Sequence, residues 1–347
     1  MRPILRVVAV LFFVPSVVLF AVVATAHPTL SGLAYAAGFL VVVTSGLLRR
    51  PGVAVRTAAA GLVLLGGTVA LRLASASGTD RVHMSAPGDA SPRWVDRLLD
   101  EEDLSVNAAR ALVWTGFMRD PDVPGLAPVM RSAYVRMRAA EGATPSPVVA
   151  TYAGFESPGR EDTVEIGDVR ESDGVVVFLH GFAGSFTLPC WVVSRAAAAA
   201  GFATVCPSTR WVGDWWSPEG ESILRETVHA LRHRGVRRIV LAGLSNGAIG
   251  ASLLAPRLRG SFDGVILISG ASGEAEPPGV PVLVLQGERD AQIPATLVHA
   301  YAARVGARYV SLDAGHFALL VCEAAATTRM TAFLRQRGGH RETARLP

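Results

Sequence analysis

The chain has 347 residues, half of them hydrophobic, and a formal net charge of +4 at pH 7. This length exceeds one ordinary domain and indicates two or more structural units. Apart from histidine, every basic residue is an arginine, and the arginines form only short clusters, so we expect no nucleic acid as a partner. The three cysteines, Cys190, Cys206 and Cys322, lack metal-ligand spacing, and we expect no zinc site.

Three apolar stretches open the chain, at residues 7–26, 29–48 and 52–73. Each approaches the roughly 20 residues with which a helix crosses a bilayer, and the mean hydropathy of the chain is positive, +0.36. We therefore predict about three transmembrane helices within residues 1–75, which act as a membrane anchor. The alternative for the first stretch is a signal peptide, because Ala24-Thr25-Ala26 resembles a cleavage site.

The placement of arginines predicts how these helices are oriented. Arg2 and Arg6 precede the first stretch, Arg49 and Arg50 lie between the second and third, and the loop at residues 27–28 carries none. This distribution places the N-terminus in the cytoplasm and everything after the third stretch outside it. Removal of the first stretch as a signal would leave the rest of the chain on the same side. We expect an integral protein of a bacterial cytoplasmic membrane.

Residues 76–145 are predicted to be a linker followed by a helical connector. Ser91-Pro92 has the residue types of a helix start, and further helices are expected at 105–117 and 126–140. Their apolar faces need a partner. That partner can be the following domain, which they would cover as a partial lid, or the membrane surface. A plain structural spacer is the third alternative, and the sequence does not choose among them.

From residue 146 the pattern changes to alternating strands and helices. The segment 175–179 is a continuous valine-rich run, as expected for a strand that is buried on both faces. Alternation of this kind predicts an α/β fold, a mostly parallel sheet with helices on both faces, over residues 146–340. The predicted strands are 148–152, 163–166, 175–179, 203–206, 238–242, 264–269, 280–285 and 309–312.

Two glycine-containing motifs follow predicted strands. The pentapeptide 243–247 reads Gly-Leu-Ser-Asn-Gly and precedes a predicted helix. In such an elbow the serine occupies a sharp turn that lifts its hydroxyl above the sheet, and the flanking glycines avoid a clash. The second motif, His-Gly-Phe at 180–182, comes directly after the valine-rich strand.

An acidic motif and a histidine complete the set. Residues 287–294 read Gly-Glu-Arg-Asp-Ala-Gln-Ile-Pro after a predicted strand and offer Asp290 as an acid, with Glu288 as the weaker alternative. His316 follows the last predicted strand, and Asp313 lies three residues before it in the same loop.

Over roughly residues 146–336 these motifs make the chain resemble the α/β-hydrolase family of serine hydrolases. The resemblance implies that Ser245 is the nucleophile, Asp290 the acid and His316 the base, in the chain order of that family. It implies acyl transfer through a covalent intermediate that needs no metal or organic cofactor.

The same resemblance implies an oxyanion hole formed by the backbone N–H groups of Phe182 and Asn246. His180 is then expected to organise its loop without transferring a proton. Only residues 271–279 separate two strands between which many family members insert a cap domain, so we expect an open site unless the connector or the loop at 211–216 covers it. The candidate substrate-pocket residues, which can also dip into the bilayer or pack on the domain, are Trp211, Trp215 and Trp216.

The leading expectation is hydrolysis of a carboxylic ester, either a small molecule or a lipid, and the predicted membrane anchor and the tryptophan loop favour a lipophilic one. A peptidase or thioesterase with the same triad stays open, as does a non-catalytic binding module that keeps the hydrolase fold. Cys190 and Cys206 are the pair to test for a disulfide, although buried free thiols are the preferred interpretation. The sequence does not fix the oligomeric state.

Overall fold

The computed structural model describes residues 2–76, 79, 81–85 and 93–337, and the structural statements below concern these residues. They form a group of N-terminal helices, a helical connector and one eight-stranded sheet with its covering helices. The predicted helix start at Ser91-Pro92 and part of the predicted linker lie outside the described residues.

Three N-terminal helices, α1 (Arg2–Thr25), α2 (Leu30–Ser45) and α3 (Pro51–Ser75), follow one another with short turns. Within them, Arg6–Thr25 and Pro51–Ser75 are long and apolar enough to cross a membrane. Helix α2 has 16 residues. At the rise of an α-helix it extends about 24 Å, less than the ~30 Å of a bilayer core. Two helices are thus compatible with membrane spans, the first also with a signal sequence, and a span by α2 stays a prediction.

The N-terminal helices pack through small residues and present apolar side chains outward. A Cβ added to Gly61 of α3 would lie 3.0 Å from the carbonyl oxygen of Gly38 in α2, so glycine permits the close approach. Close packing of small residues is typical of helix pairs in lipid. Large apolar side chains such as Leu11 and Val63 remain 65% and 74% exposed. An exposed apolar surface of this kind suits a lipid environment better than water.

The connector begins with a short 3-10 turn and continues as helices. Helix α4 begins before the predicted residue 105, because the Asp100 carboxylate caps it by accepting a hydrogen bond from the N–H of Glu102 at 3.1 Å. The Ser105 hydroxyl instead pairs with the Tyr134 hydroxyl at 2.7 Å. The connector elements are the 3-10 turn Trp94–Arg97, α4 (Glu101–Thr115) and α5 (Val123–Glu141), and helix α6 (Val148–Ala153) follows them.

Helix α6 corrects the predicted strand at 148–152. Pro147 precedes its first turn, and Gly154 ends it in the left-handed conformation at φ 74°. The Thr151 hydroxyl donates back to the Pro147 carbonyl oxygen at 2.8 Å within the helix. A short apolar run does not distinguish strand from helix by its periodicity, and here the flanking proline and glycine favour the helix.

The connector contacts the ends of the N-terminal helices. The Arg110 guanidinium of α4 donates to the Val22 carbonyl oxygen at 2.7 Å, and Arg131 of α5 donates to the Ala26 carbonyl oxygen. The last carbonyls of a helix lack partners within it, so these arginines satisfy the end of α1.

The same face of the connector also binds α2 and α3. Asp103 accepts hydrogen bonds from the N–H and the hydroxyl of Thr29, at 2.9 and 2.6 Å, at the start of α2. Arg72, near the end of α3, donates to the Leu99 carbonyl oxygen at 2.9 Å. The connector is therefore fixed to one end of the N-terminal helices, and the plain spacer is the least suitable of the three interpretations.

One sheet contains all eight strands in the order β1-β2-β4-β3-β5-β6-β7-β8. β2 is antiparallel to both of its neighbours, and the six strands from β4 to β8 in this order are parallel. The edge strand β1 falls in the predicted linker, so the sheet starts before residue 146. In chain order the strands are Val82–Ser85, Thr163–Ile166, Gly174–Leu179, Phe202–Pro207, Ile239–Leu244, Gly264–Ile268, Val282–Gly287 and Arg308–Leu312.

Helices cover both faces of the sheet and bury two apolar cores. On one face α7, α12 and connector helix α5 pack over Phe178 and Ile266. On the other face α8, α9 and α10 pack over Val175 and Leu241. The predicted α/β fold class is therefore confirmed. These helices are α7 (Thr187–Ala198), α8 (Pro218–His233), α9 (Asn246–Arg257), α10 (Ala295–Val305), α11 (Ala318–Val321) and α12 (Glu323–Arg335).

A disulfide joins Cys190 of α7 to Cys206 of β4, with their Cα atoms 6.3 Å apart, and Cys322 is free. Buried free thiols at this pair, the interpretation preferred from sequence, are therefore wrong. Spacing in sequence gave no direct sign of the pairing, since it depends on how helix α7 packs on its neighbouring strand.

We expect non-reducing peptide mapping to recover a Cys190–Cys206 crosslink and thiol titration of the unfolded protein to find one free thiol. The crosslink closes a loop with a sequence separation of 16. Loops of this size typically contribute about 3 kcal/mol to the free energy of unfolding. The double variant Cys190→Ser/Cys206→Ser should lose roughly that amount in urea denaturation, while Cys322→Ser should lose little. Three titratable thiols in the wild type would contradict the pairing.

Candidate active site

The predicted site residues follow the carboxyl ends of four of the parallel strands. His180 follows β3, Ser245 follows β5, Asp290 lies shortly after β7, and His316 comes after β8. Ligands of open α/β sheets bind outside these strand ends, so the sheet brings the four motifs to one edge.

The turn at Ser245 is strained in the way that a nucleophile elbow requires. Its φ of 54° and ψ of −118° lie where non-glycine residues are uncommon, and its N–H donates to the Ile268 carbonyl oxygen at 2.9 Å. A Cβ on Gly243 would overlap the Gly247 carbonyl oxygen, and one on Gly247 would overlap the Leu179 carbonyl oxygen. Both glycines of the motif are thus required by close backbone contacts.

Ser245, His316 and Asp290 form one hydrogen-bonded chain. The Ser245 Oγ lies 2.9 Å from His316 Nε2, and His316 Nδ1 lies 2.9 Å from Asp290 Oδ2. The imidazole is 9% exposed and the carboxylate is fully buried. This arrangement allows the imidazole to accept the serine proton while the carboxylate holds its other nitrogen.

The Asp290 carboxylate is held by several donors besides the imidazole. Its Oδ1 accepts from the N–H groups of Gln292 and Ile293, at 2.8 and 2.9 Å. Burial acts to raise the pKa of Asp290. The hydrogen bond and charge of His316, together with these N–H groups, outweigh burial and lower that pKa below its usual value. The carboxylate therefore stays ionised beside the imidazole.

The alternative acids lie elsewhere in the structure. Glu288 is exposed, and its Oε1 accepts from the Ser311 hydroxyl at 2.7 Å. Asp313 is exposed and pairs with Arg289 at 2.9 Å. Neither carboxylate contacts His316 among the described residues, so the geometry favours Asp290.

The His-Gly-Phe turn lies directly against the elbow. A Cβ on Gly181 would lie 3.1 Å from the Ser245 Cβ, so the two turns nearly touch. Ala183 and Gly184 have positive φ angles, 78° and 103°, which turn the chain sharply. Within the described part of the chain, the N–H of Phe182 donates to no protein acceptor, nor does the N–H of Asn246 at the start of α9.

His180 is buried and holds this turn in place. Its Nδ1 pairs with the Gly181 carbonyl oxygen at 2.8 Å, and its Nε2 accepts from the Thr209 N–H at 3.1 Å. Burial lowers the pKa of His180 to about 4. The side chain is therefore neutral near pH 7 and organises the loop, as expected.

The three tryptophans of the 211–216 loop occupy different environments. Trp211 is 43% exposed and lies against Tyr152 and Phe182, with ring centroids 6.4 and 5.2 Å away. Trp215, a candidate pocket residue from sequence, is instead fully buried and donates to the His180 carbonyl oxygen at 2.9 Å. Because no part of Trp215 is accessible, it cannot line an open pocket. Trp216 is 37% exposed and makes no ring contact with the Trp211 group among the described residues.

Sequence reasoning missed residues that hold Asp290 and the loop of His316. Buried Gln286, at the end of β7, donates to Asp290 Oδ2 at 2.9 Å and to the Ile293 carbonyl oxygen at 3.1 Å. The sequence did contain a sign of Gln286, because it is a polar residue directly after the continuous apolar run of a predicted strand. Asp120 and Asp122 of the connector bind the backbone around His316. No local signal could identify them, since their partners lie almost 200 positions later.

The neutral state of His180 predicts a pH-dependent stability. Its pKa is about 4 in the folded protein and near 6.5 in the unfolded chain, so the unfolded chain binds one more proton between these values. The contribution is present above pH 6.5 and is lost as pH falls towards 4, by about 1.4 kcal/mol per pH unit. We expect the difference in free energy of unfolding between wild type and His180→Asn, from urea denaturation, to shrink by ~2 kcal/mol between pH 7 and pH 5. Parallel pH curves for the two proteins would contradict a neutral buried His180.

No protein-family model matches the sequence, and no curated protein matches it. Solved structures that resemble it include a predicted CIB-like hydrolase from Thermoplasma acidophilum, with 18% identity and a TM-score of 0.45 over 52% of this chain and 96% of that one. Est1E from Butyrivibrio proteoclasticus has 16% identity and a TM-score of 0.44 over 53% and 97%. A lidless α/β serine hydrolase from Xanthomonas campestris has 19% identity and a TM-score of 0.45 over 54% and 93%.

The fold is assigned from the chain's own architecture. Six parallel strands carry helices on both faces, and a G-x-S-x-G turn joins strand β5 to helix α9. In the α/β-hydrolase fold such a turn raises a serine above the sheet, and an acid and a histidine follow it in the chain. The chain therefore has an α/β-hydrolase fold, preceded by apolar N-terminal helices that are compatible with a membrane segment.

Proposed function

We propose that this protein is a serine hydrolase that cleaves carboxylic esters, with Ser245 as nucleophile, His316 as general base and Asp290 as the acid that orients it. The observation that supports the proposal is the continuous hydrogen-bonded chain of these side chains, with 2.9 Å at each step. The strained turn that presents the serine adds to it, because such strain persists where it serves a mechanism.

In the proposed reaction, His316 Nε2 takes the Ser245 proton as Oγ attacks the carbonyl carbon of the ester. The tetrahedral intermediate collapses, the imidazolium gives its proton to the leaving alcohol, and an acyl-enzyme remains. Water, deprotonated by His316, then attacks the acyl-enzyme and releases the carboxylic acid and the free serine. The buried, ionised Asp290 stabilises the imidazolium formed in each half of the cycle.

The negative charge on the carbonyl oxygen needs donors that are fixed before it forms. We propose the N–H groups of Phe182 and Asn246, which lack protein acceptors among the described residues. Donors of this kind typically lower the barrier by about 3 kcal/mol each. Asn246 is additionally fixed, because its side chain donates to the Val212 carbonyl oxygen at 2.8 Å.

The proposed substrate class is a lipophilic ester, either a small molecule or a membrane lipid. Three aromatic side chains next to the elbow remain between 43% and 58% exposed, namely Tyr152, Phe182 and Trp211. Aromatic surface beside a reactive serine favours substrates with apolar groups. A peptidase or thioesterase would use the same side chains, and no observation favours either. A non-catalytic binding module gains no support, since the three reactive side chains are in hydrogen-bonding contact.

We further propose that residues 1–75 anchor the protein in a bacterial cytoplasmic membrane. The catalytic domain predicted over residues 146–340, together with strand β1 and the connector helices of residues 76–145 that pack on it, would then lie outside the cytoplasm. The arginine distribution supports this orientation. The disulfide Cys190–Cys206 supports it independently, because such bonds persist mainly outside the cytoplasm.

Purified protein should hydrolyse p-nitrophenyl esters, with a preference among chain lengths that describes the pocket. We expect Ser245→Ala to lose about 10⁴-fold or more in kcat, because the rest of the triad cannot act without its nucleophile. Ser222→Ala is the matched control, since that half-buried serine lies on α8 and its hydroxyl donates to the Glu226 carboxylate at 2.9 Å. Fluorophosphonate should label wild type and not Ser245→Ala. Labelling that persists in the alanine variant would exclude Ser245 as the nucleophile.

Thioester and aminoacyl-amide substrates, assayed beside esters of the same acyl group, separate the reaction classes. A higher kcat/KM on thioesters or amides would replace the esterase proposal while leaving the triad in place. Absence of both turnover and labelling would favour the binding module.

Alkaline phosphatase fusions in a bacterial host test the proposed orientation. The reporter is active only outside the cytoplasm, where its disulfides form. We expect activity for a fusion after Ala76 and none for a fusion after Arg50. The opposite pattern would place the hydrolase fold in the cytoplasm.

A further inference from the structure

The connector reaches the loop that carries His316. Between α4 and α5, the Asp120 Oδ2 atom accepts from the N–H of His316 at 2.9 Å and from the N–H of Ala291 at 3.2 Å. The first of these groups belongs to the proposed base, and the second directly follows the proposed acid. One carboxylate oxygen thus ties the two loops together.

A second aspartate binds the backbone on both sides of His316. The Asp122 Oδ2 atom accepts from the N–H of Gly315 at 2.8 Å and from the N–H of Phe317 at 3.0 Å. The two aspartates are themselves joined, because the Asp122 N–H donates to Asp120 Oδ1 at 3.1 Å. Three consecutive amides, centred on the histidine, are therefore held by connector carboxylates.

The contact is buried and closely packed. Asp120 and Asp122 are 6% and 7% exposed. A Cβ on Gly315 would overlap the Asp120 carboxylate, so glycine is required for the two loops to meet. Hydrogen bonds to a charged acceptor are about twice as strong as neutral ones. Carboxylate acceptors can therefore hold the backbone of the His316 loop firmly.

The loop that carries the two aspartates is itself held in place by the helices on either side of it. They follow α4, which is bound to the N-terminal helices through Asp103 and Arg110, and they precede α5, which Arg131 binds to the end of α1. Because both helices that flank the loop are fixed, the two aspartates have a fixed position and can fix the position of the His316 backbone.

We propose that Asp120 and Asp122 are positioning residues that hold the His316 imidazole in line between Ser245 and Asp290. The inference rests on the proposed function only for its kinetic consequence. Neither side chain touches the imidazole or a substrate, so their effect passes through the backbone of the histidine loop. A displacement of about 1 Å at a reacting group costs roughly 100-fold in rate.

Two substitutions of Asp122 test whether its role depends on accepting the two hydrogen bonds or only on filling space. Asp122→Ala removes the acceptor of both amides. Asp122→Asn keeps one oxygen that can accept from both, since a single oxygen of Asp122 binds the two N–H groups. We expect Asp122→Ala to lower kcat for p-nitrophenyl esters by roughly 10- to 100-fold with KM within threefold, and Asp122→Asn to restore kcat to within about threefold of wild type. The rate of fluorophosphonate labelling should follow kcat.

A readout that needs no turnover makes failure of this proposal distinguishable from failure of the proposed function. The proton shared between His316 Nδ1 and Asp290 should give a far-downfield resonance in proton NMR of the full-length protein in micelles. We expect that resonance in wild type and Asp122→Asn and its loss or displacement in Asp122→Ala. If the wild type shows the resonance but neither turns over esters nor reacts with fluorophosphonate, the proposed function fails and the resonance still decides the positioning role.

A matched control removes the same kind of interaction far from the site. Asp168 accepts from the N–H groups of Arg170 and Glu171, at 2.8 and 3.2 Å, in an exposed turn at the amino ends of the parallel strands. Asp168→Ala should leave kcat and the resonance as in wild type. A loss equal to that of Asp122→Ala would show that any broken turn has the same effect and would overturn the proposal.

A folded Asp122→Ala with wild-type kcat and an unchanged resonance would also overturn it, as would an Asp122→Asn variant as impaired as the alanine. If Asp122→Ala does not fold, Asp120→Asn takes its place. The asparagine keeps the side-chain volume but has a single acceptor oxygen. It can therefore accept either from the Asp122 N–H or from the N–H groups of Ala291 and His316, but not from both sides. We then expect a three- to tenfold loss of kcat with a displaced resonance, and unchanged values for both would refute the positioning role.

Discussion

The strained backbone turn at Ser245 determines how closely the neighbouring loops and strand ends must pack around the site. A non-glycine residue at φ 54° costs on the order of 1–3 kcal/mol, and it persists only where the surroundings determine it. Here the N–H of Ser245 donates to β6, and its carbonyl accepts from the first turn of α9, at 2.9 Å from the Ala248 nitrogen. The turn also brings Gly247 onto the end of β3 and Gly181 onto the elbow. Any side chain at these glycines would separate the loops whose proximity defines the site.

The connector also supports the loops of the site, from outside the sheet. Buried Glu101 accepts from the N–H groups of Thr187 and Leu188, at 2.7 and 2.9 Å, so α4 caps α7, which follows the His-Gly-Phe turn. Burial raises the pKa of this carboxyl, and the two N–H groups with the hydroxyls of Ser146 and Tyr134 oppose that shift. A hydrolase unit cut at residue 146 would lose these contacts, the edge strand β1 and the support of the histidine loop. The connector is thus structurally part of the unit that carries the site.

The sequence predicted those parts of the fold and site that depend on local chemistry. Ser245, Asp290 and His316 each sit in a short motif after an apolar strand, and such motifs can be recognised without knowing their neighbours. Strand β1 escaped notice because four residues in a segment rich in serine and glycine give too little alternation, and the run at 148–152 was too short to distinguish strand from helix. Asp120 and its partner His316 are 196 positions apart, so only the folded chain brings them together.

The connector also relates the site to the end of the apolar helix α1. Arg110, which binds the end of α1, lies 5.0 Å from the Trp114 ring centroid, and Trp114 and Phe117 remain 59% and 75% exposed. Exposed aromatic side chains beside the end of an apolar helix are typical of the interfacial belt of membrane proteins. Phe117 and Asp120 are three positions apart in the chain, a span of at most about 11 Å. The histidine loop thus lies within a short distance of an exposed aromatic surface beside the end of α1. In the proposed arrangement, with residues 1–75 in the membrane, this surface would give a lipid ester a short path to Ser245, which is the physical reason for proposing that substrate class.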